Sequence, residues 1–290
     1  MQQELTMQEE LTMQEEILRW FDENMRDLPW RKSDAWGVMV SEFMLQQTPV
    51  VRVLPKWLEW MERWPTPADL ASAKQSDVIT AWDRLGYPRR ALRLHESAKE
   101  ITSRCNGVVP REIAELQSLP GVGEYTAAAI SAFAYGESTL VLDVNIRRLF
   151  ARAITGVEAA RPSLSQIERD MARDLIPQEG AKWAAATMEL GALICVARNP
   201  KCGQCPIANS CAWLAAGSPT SEVVKRTQSW HGTDRQCRGK IVQALRESNF
   251  VTRADLAVSA ADPAQIDRCL ESLIADHLIE AAGNIYKLKD

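Results

Sequence analysis

The feature that most constrains this chain is a cluster of thiols. Cys195, Cys202, Cys205 and Cys211 are spaced C-x6-C-x2-C-x5-C. Four thiolates this close in sequence can wrap a single cofactor, and the segment carrying them must close into a loop. Pro200, Gly203 and Pro206 agree with a loop rather than a core element. Structural zinc usually takes two C-x2-C pairs with a longer spacer between them. A single C-x2-C with wider outer gaps suits a cubane iron–sulfur cluster better, with zinc as the alternative. Seven cysteines is an odd number. With four of them crowded together, the pattern points to a metal site in a reducing cytoplasm rather than a disulfide framework. Cys105, Cys237 and Cys269 read as ordinary thiols.

Around this loop the pattern is helical. The chain has 290 residues and is 46% hydrophobic, enough for about two domains. No apolar run approaches the roughly 18–20 residues of a membrane helix. The N-terminal MQQELTMQEELTMQEE is acidic and has no apolar signal core. It repeats ELTMQE at 4–9 and 10–15. A period of six does not keep one helical face, so this stretch reads as a frayed duplication. Amphipathic spacing begins at Ile17. Helical patterns follow over 36–46, 49–63, 67–72, 75–84, 88–102, 111–117 and 124–135, and again between 143 and 192. Strand alternation is scarce, so the expected fold class is all-α. Residues 218–234 read as a linker. The stretch 235–290 reads as three helices and a hairpin turning at Gly283-Asn284, a small winged-helix-like module whose last helix starts at Asp262-Pro263.

Three motifs carry chemistry. In LPGVG, Gly121 and Gly123 permit backbone angles and close approach that other residues resist. Two short helices joined this way form a helix–hairpin–helix, whose second helix offers free N–H groups, with Val122, to a phosphate. An ordinary helix–helix corner is the alternative. Glu42 stands among Val38, Met39, Val40, Phe43, Met44 and Leu45. It lies either at the wet edge of the helix or in a dry pocket, where its pKa would rise and make it a general acid. Asp143 precedes a helical run and reads as an N-cap or as a second functional carboxylate. Two carboxylates from different segments are what N-glycosidic cleavage requires. Arg198 and Lys201, pinned between the first two cysteines, suit phosphate contact or a solvated surface equally. The net charge of -4 is low for a nucleic-acid binder, although the acidic N-terminus can mask a local basic face.

Taken together, LPWR, SEFMLQQT, LGY with LH at 85–95, LPGVGEYTA, LDVNIRR, MELGALIC and the four cysteines resemble the helix–hairpin–helix DNA glycosylase superfamily with an iron–sulfur cluster. Within it, residues 17–213 resemble the A/G-specific adenine glycosylases of the MutY type. The resemblance implies a two-domain fold with a 4Fe-4S cluster loop. One domain is a helical barrel over 29–137. The other is a cluster domain made of 138–217 and the N-terminal helix at 1–28. It implies that Glu42 protonates adenine, that Asp143 stabilises the oxocarbenium ion, and that Asn145 and Tyr125 position groups around them. Trp30, Arg31, Thr48 and Glu189 match the base pocket, and Gln47 and Tyr87 match residues inserted into the base stack. Gly121, Val122, Gly123, Arg89, Arg90, Arg198 and Lys201 are the expected DNA-backbone contacts, with Arg147 and Arg148 as further candidates. Sibling glycosylase–lyases carry a Schiff-base lysine where Tyr125 stands, so a monofunctional enzyme is implied.

The expected partner is double-stranded DNA with an adenine opposite 8-oxoguanine or guanine, bound by a monomer in the cytoplasm at the nucleoid. A related glycosylase of other base preference and a non-enzymatic DNA-binding iron–sulfur protein are the alternatives. Two departures stand out. Pro88 replaces a second aromatic. The tail is too short for the family's Nudix-like domain that senses 8-oxoguanine, and residues 218–290 hold ten basic and ten acidic side chains, giving no basic stripe.

Overall fold

The computed structural model describes residues 7–220, 230–257 and 262–290. The 218–234 linker read from sequence lies mostly outside the described residues. The elements in chain order are α1 (Met7–Asn24), α2 (Ala35–Leu45), α3 (Val50–Arg63), α4 (Pro67–Ser72), α5 (Gln75–Trp82) and α6 (Arg89–Arg104). Then come α7 (Ile113–Gln117), α8 (Glu124–Tyr135), α9 (Val144–Ala153), α10 (Gln166–Asp174), α11 (Gly180–Leu193) and α12 (Ala212–Ala215). The C-terminal stretch adds α13 (Asp234–Glu247), β1 (Val251–Thr252), α14 (Arg253–Ala257), α15 (Pro263–Ala275), β2 (Ile279–Ala282) and β3 (Ile285–Leu288). No helix among the described residues is long and apolar enough to cross a membrane.

Side-chain caps set several boundaries. Thr66 and Asp69 form a reciprocal capping box at α4. Asp143, Ser165 and Thr233 cap α9, α10 and α13 by accepting from backbone N–H groups. Asp262 sits before Pro263 as expected, but its side chain makes no capping bond; the ring of Pro263 alone starts α15.

By contacts the chain forms two compact units. The first lies within Met1–Ala35, Arg111–Ile113 and Gly123–Val224. Its core joins Met13, Ile17 and Phe21 of α1 to Ala128, Ala129 and Ala132 of α8, Ile146, Leu149 and Phe150 of α9, and Trp183, Ala186 and Leu190 of α11. The frayed reading of the N-terminal repeat does not hold at its second copy. Met13 is buried there, because it continues the Ile17–Phe21 stripe at a spacing of one helical turn. The sequence grouped α8 with the preceding helices, but its alanines place it in this unit.

The second unit lies within Trp36–Pro110, Ala114–Val122 and Lys225–Asp290. Its helical part is anchored by tryptophans: the Trp57 indole donates to the Gly37 carbonyl at 2.8 Å and that of Trp36 to the Trp64 carbonyl at 3.1 Å. Trp60 packs edge-on against both Trp64 and Trp82. The C-terminal residues are a winged helix. β2 and β3 pair antiparallel around a turn at Gly283, φ +63°, and β1 adds to the far side of β3, giving the order β1-β3-β2. Strand β1 was read as helix from sequence, since two residues are too few to show alternation. The module is not free-standing: Ile79 and Leu92 of α5 and α6 share one core with Cys237, Ile241, Leu245, Cys269, Leu273 and Leu288.

In the first unit, α9 and α11 pack closely because Gly191 has no side chain; a Cβ there would fall 2.7 Å from the Asn145 carbonyl oxygen. Gly191→Ala will therefore lower stability by about 1–3 kcal/mol through overpacking, read as a fall in denaturant midpoint with unchanged slope.

Candidate active site and cluster loop

The second unit holds Glu42 and two strained loops. Glu42 is 5% exposed on α2, a helix buried along most of its length. That places it in the dry setting rather than at a wet edge. The turn after α7 packs on α2: at Gly121, φ +80°, a Cβ would meet the Arg93 Cβ at 2.6 Å and the Phe43 ring at 3.0 Å. The Ser97 hydroxyl fixes the same turn by donating to the Pro120 carbonyl at 2.6 Å. Gly123 differs from the sequence reading. Its backbone is extended, and a Cβ there would meet nothing within 4 Å. Only Gly121 is required by the protein's own packing.

Gln47 and Tyr87 both adopt positive φ, +54° and +47°, a conformation that non-glycine residues resist. One guanidinium holds both loops. Arg90 Nη1 donates to the carbonyls of Phe43 at 2.9 Å and of Gln46, and Nη2 to those of Leu85 and Gly86 at 3.1 Å and to the Thr48 hydroxyl at 3.1 Å. The Thr48 hydroxyl in turn donates to the Leu85 carbonyl at 3.1 Å. The same guanidinium lies over the rings of Trp82 and Tyr87. Burial pushes the Arg90 pKa down to about 10, still well above neutral. The resemblance implies that Arg90 touches DNA phosphate; its terminal nitrogens are instead committed to protein carbonyls and the Thr48 hydroxyl, while its Nε is buried without an acceptor among the described residues. Arg89 remains largely exposed and pairs with Asp276 at 3.3 Å.

The first unit holds Asp143 and its supports. Asp143 is the N-cap of α9, as one of its two sequence readings has it. Its carboxylate accepts from the Asn145 and Ile146 backbone N–H groups at 2.9 and 2.7 Å and from the Asn145 amide at 2.6 Å. Burial raises its pKa, opposed by those hydrogen bonds and by Arg148. Asn145 is fixed from behind: Arg148 Nη2 donates to the Asn145 side-chain oxygen at 2.9 Å and to the Gly191 carbonyl at 2.6 Å, while its Nε donates to the Cys195 carbonyl at 2.7 Å. A continuous chain of hydrogen bonds thus runs from the first cysteine of the loop to Asp143. Arg147 is bound to Glu168 at 2.6 Å and to the Arg161 carbonyl. Neither arginine is left open for phosphate in the way the sequence reading supposed.

Glu189 is 2% exposed. Arg26 grips it through Nε at 2.8 Å, Nη2 at 2.6 Å and its backbone N–H at 2.9 Å, and Arg31 adds a contact at 3.1 Å. Arg26, which sequence reasoning missed, is the principal partner. Trp30 is buried beside Arg31 in the chain, and Tyr125 is half-buried against the first unit's core.

The four cysteines border one pocket, together with Arg152, Ile194, Ile207 and Trp213. Among the described residues no three Cys, His, Asp or Glu side chains converge as a single metal ion would require. Sulfurs spread around a common cavity fit a cluster of several metal atoms better than zinc. Burial pushes the Cys205 thiol up to about 12 and raises that of Cys202. Such a donor set ionises only against strong positive charge, which a metal centre supplies. Arg152, also missed in the sequence, is 2% exposed. It reaches the Cys195 sulfur at 3.5 Å and the Val196 carbonyl at 2.8 Å, and stacks on Trp213. Nothing in spacing alone marks Arg26, Arg148 or Arg152, because their partners are backbone atoms or distant residues. Arg198 and Lys201 are exposed on the loop.

The sequence matches the HhH-GPD superfamily base excision DNA repair protein family over residues 40–175 and the iron-sulfur binding domain of endonuclease III over residues 195–211. Among solved structures, the chain is similar to a thermostable thymine-DNA glycosylase, with a TM-score of 0.66 and 25% identity, covering 72% of this chain and 98% of that one. An endonuclease III–DNA complex shares the fold, with a TM-score of 0.64 and 22% identity over 73% of this chain and 98% of that one. Fold and cysteine loop together define a helix–hairpin–helix DNA glycosylase that carries a 4Fe-4S cluster. An adenine DNA glycosylase of Mycolicibacterium smegmatis is 50% identical over 274 residues, 92% of each chain. The Homo sapiens adenine DNA glycosylase is 40% identical over 207 residues, 67% of this chain and 38% of that one. The chain belongs to the adenine DNA glycosylase family.

Two expectations follow. The Glu189 carboxylate is opposed by burial, but the hydrogen bonds from Arg26 and the charges of Arg31 and Arg26 prevail, and its pKa lies below the ordinary value. Its stabilising contribution is complete above the unfolded carboxylate pKa and is lost as pH falls through the folded one. Glu189→Gln will cost about 3 kcal/mol near neutral pH and flatten the loss of stability that thermal melts of the native protein show below about pH 5. Separately, Cys202→Ser will abolish the yellow-brown absorbance near roughly 400 nm, and elemental analysis of the native protein will find iron and not zinc.

Proposed function

We propose that this chain removes adenine mispaired with 8-oxoguanine or guanine in double-stranded DNA by hydrolysing the N-glycosidic bond. The observation that carries this reading is Glu42, a carboxyl side chain in the dry interior of an otherwise apolar helix. The role requires it to enter the reaction as a carboxylic acid. Neutral Glu42 then gives its proton to a ring nitrogen of the adenine, and the electron pair of the bond to the sugar leaves with the base. Positive charge develops on the sugar ring, where Asp143 as carboxylate stabilises it. Asn145 holds that carboxylate in place, and Arg148 holds Asn145. A water oxygen adds to the sugar carbon and gives up a proton. Free adenine and an abasic strand are the products.

Tyr125 offers no amine for a Schiff base, so strand cleavage is not part of the reaction. Gln47 and Tyr87, on loops braced by Arg90 and Thr48, insert into the base stack as the adenine turns out. Trp30, Arg31 and Glu189 wall the base pocket. The open surroundings of Gly123 leave room for a phosphate against the first N–H groups of α8, and Arg89, Arg198 and Lys201 add charge along the backbone path. Cys195, Cys202, Cys205 and Cys211 hold the cluster, which ties the loop bearing Arg198 and Lys201 into one piece.

The test is a duplex assay with adenine opposite 8-oxoguanine, guanine or thymine, with half of each sample heated in alkali. Breaks will appear only after alkali, in the first two duplexes, and Glu42→Gln will lower the rate by about 10²–10⁴-fold. A break without alkali would show a lyase amine, and release of a base other than adenine would replace this reading.

A further inference from the structure

The winged helix is docked on the helical part of the second unit by more than apolar packing. Arg246 Nε donates to the Ile79 carbonyl at 3.1 Å, the Gln75 amide to the His277 carbonyl at 2.6 Å, and the Ser76 hydroxyl to the Asp290 carboxylate at 2.5 Å. At the edge of this join the guanidinium of Arg235 lies 4.4 Å from the Tyr87 ring centroid and 5.2 Å from that of Trp230. Tyr87 is 41% and Trp230 48% exposed. Arg90 also approaches Tyr87, its guanidinium 5.6 Å from the ring centroid.

A guanidinium over aromatic rings gains cation–π attraction while the rest of each flat ring stays open to water. Here two aromatics far apart in sequence meet on one arginine, and one of them is locked at positive φ by a buried guanidinium. A flat, cationic, partly wet surface suits one class of partner, the nucleobase, which stacks on aromatic rings and guanidinium planes alike while its phosphates favour the charge. The acid–base balance of the module does not oppose this, because the relevant feature is local.

We propose that Tyr87, Arg235 and Trp230 form a composite base-stacking platform, through which the C-terminal module contacts DNA on the strand opposite the target adenine. The proposal rests on the reading of Tyr87 as a residue inserted into the base stack. Arg235 and Trp230 extend that wedge with groups that the catalytic part does not itself contain.

The experiment uses cluster-loaded protein in a Glu42→Gln background, so that DNA is bound but not cut. Binding is measured on an adenine:8-oxoguanine duplex carrying 2-aminopurine beside the opposite base or, in a second duplex, beside the adenine. Arg235→Ala and Trp230→Ala are each expected to weaken binding about threefold to tenfold and to remove the fluorescence change of the opposite-strand probe while leaving that of the adenine-strand probe. Arg235→Lys keeps the charge but not the plane and will restore only part of the affinity. In a Tyr87→Ala background, Arg235→Ala will have a smaller effect than alone. Iron content and melting temperature equal to the parent's identify variants that fold. Wild-type affinity and an intact opposite-strand signal in both Arg235→Ala and Trp230→Ala would overturn the platform, as would a loss confined to the adenine-strand probe. Unchanged binding in Tyr87→Ala alone would instead remove the wedge reading, and the Arg235 and Trp230 arms would still judge the platform on their own.

Discussion

A guanidinium taken out of water is strongly destabilising unless its N–H groups find acceptors. The two terminal nitrogens of Arg90 meet that demand with the carbonyls of Phe43, Gln46, Leu85 and Gly86, and only its Nε is left buried without an acceptor among the described residues. Those acceptors are available together only if two loops take left-handed turns at Gln47 and Tyr87. Electrostatic need and backbone strain therefore offset each other. The strained loops are kept because one buried charge needs their carbonyls, and the charge is kept because the loops surround it. The end of α2, the start of α6 and the exposed ring of Tyr87 all take their positions from this arrangement.

The same device recurs in the first unit with a different result. Arg148 connects the Cys195 carbonyl to the Asn145 side chain, and Arg152 connects the Cys195 sulfur to the carbonyls that follow it. The cysteine loop thus has two functions. It encloses a cofactor, and through Arg148 it sets the rotamer of the residue that orients Asp143. Gly191 permits this by letting α9 and α11 approach closely. The loop thus bears on the carboxylate through geometry alone.

Helical periodicity made most of the α-helices legible, since amphipathic spacing, prolines and cap residues are local properties. Glu42 stood out because a carboxylate breaks an apolar run, and Asp143 because it precedes a helix. The cysteine spacing spoke for itself. What sequence could not show was which arginines face solvent. Arg90 and Arg148 look like any surface cation in a row of letters, yet both are committed to carbonyls of other segments. Arg26 and Arg152 carried no signal, because Glu189 and Cys195 lie 163 and 43 positions away. Of the paired glycines, Gly121 is required by a positive φ and by the Arg93 contact, whereas Gly123 fits an extended backbone that any residue adopts. Spacing treats the two alike; only packing separates them.

The shared core of α5, α6 and the winged helix has a bearing on synthesis. Ile79 and Leu92 are covered by side chains from Cys237 onward, and Ser76 is bonded to Asp290, 214 residues later. As the polypeptide leaves the ribosome, α5 and α6 wait with these two apolar side chains uncovered until α15 and the β2–β3 hairpin emerge. Folding of the second unit therefore waits for residues about 150 positions further along the chain. A product interrupted before them lacks more than an accessory module: it lacks the cover for α5 and α6.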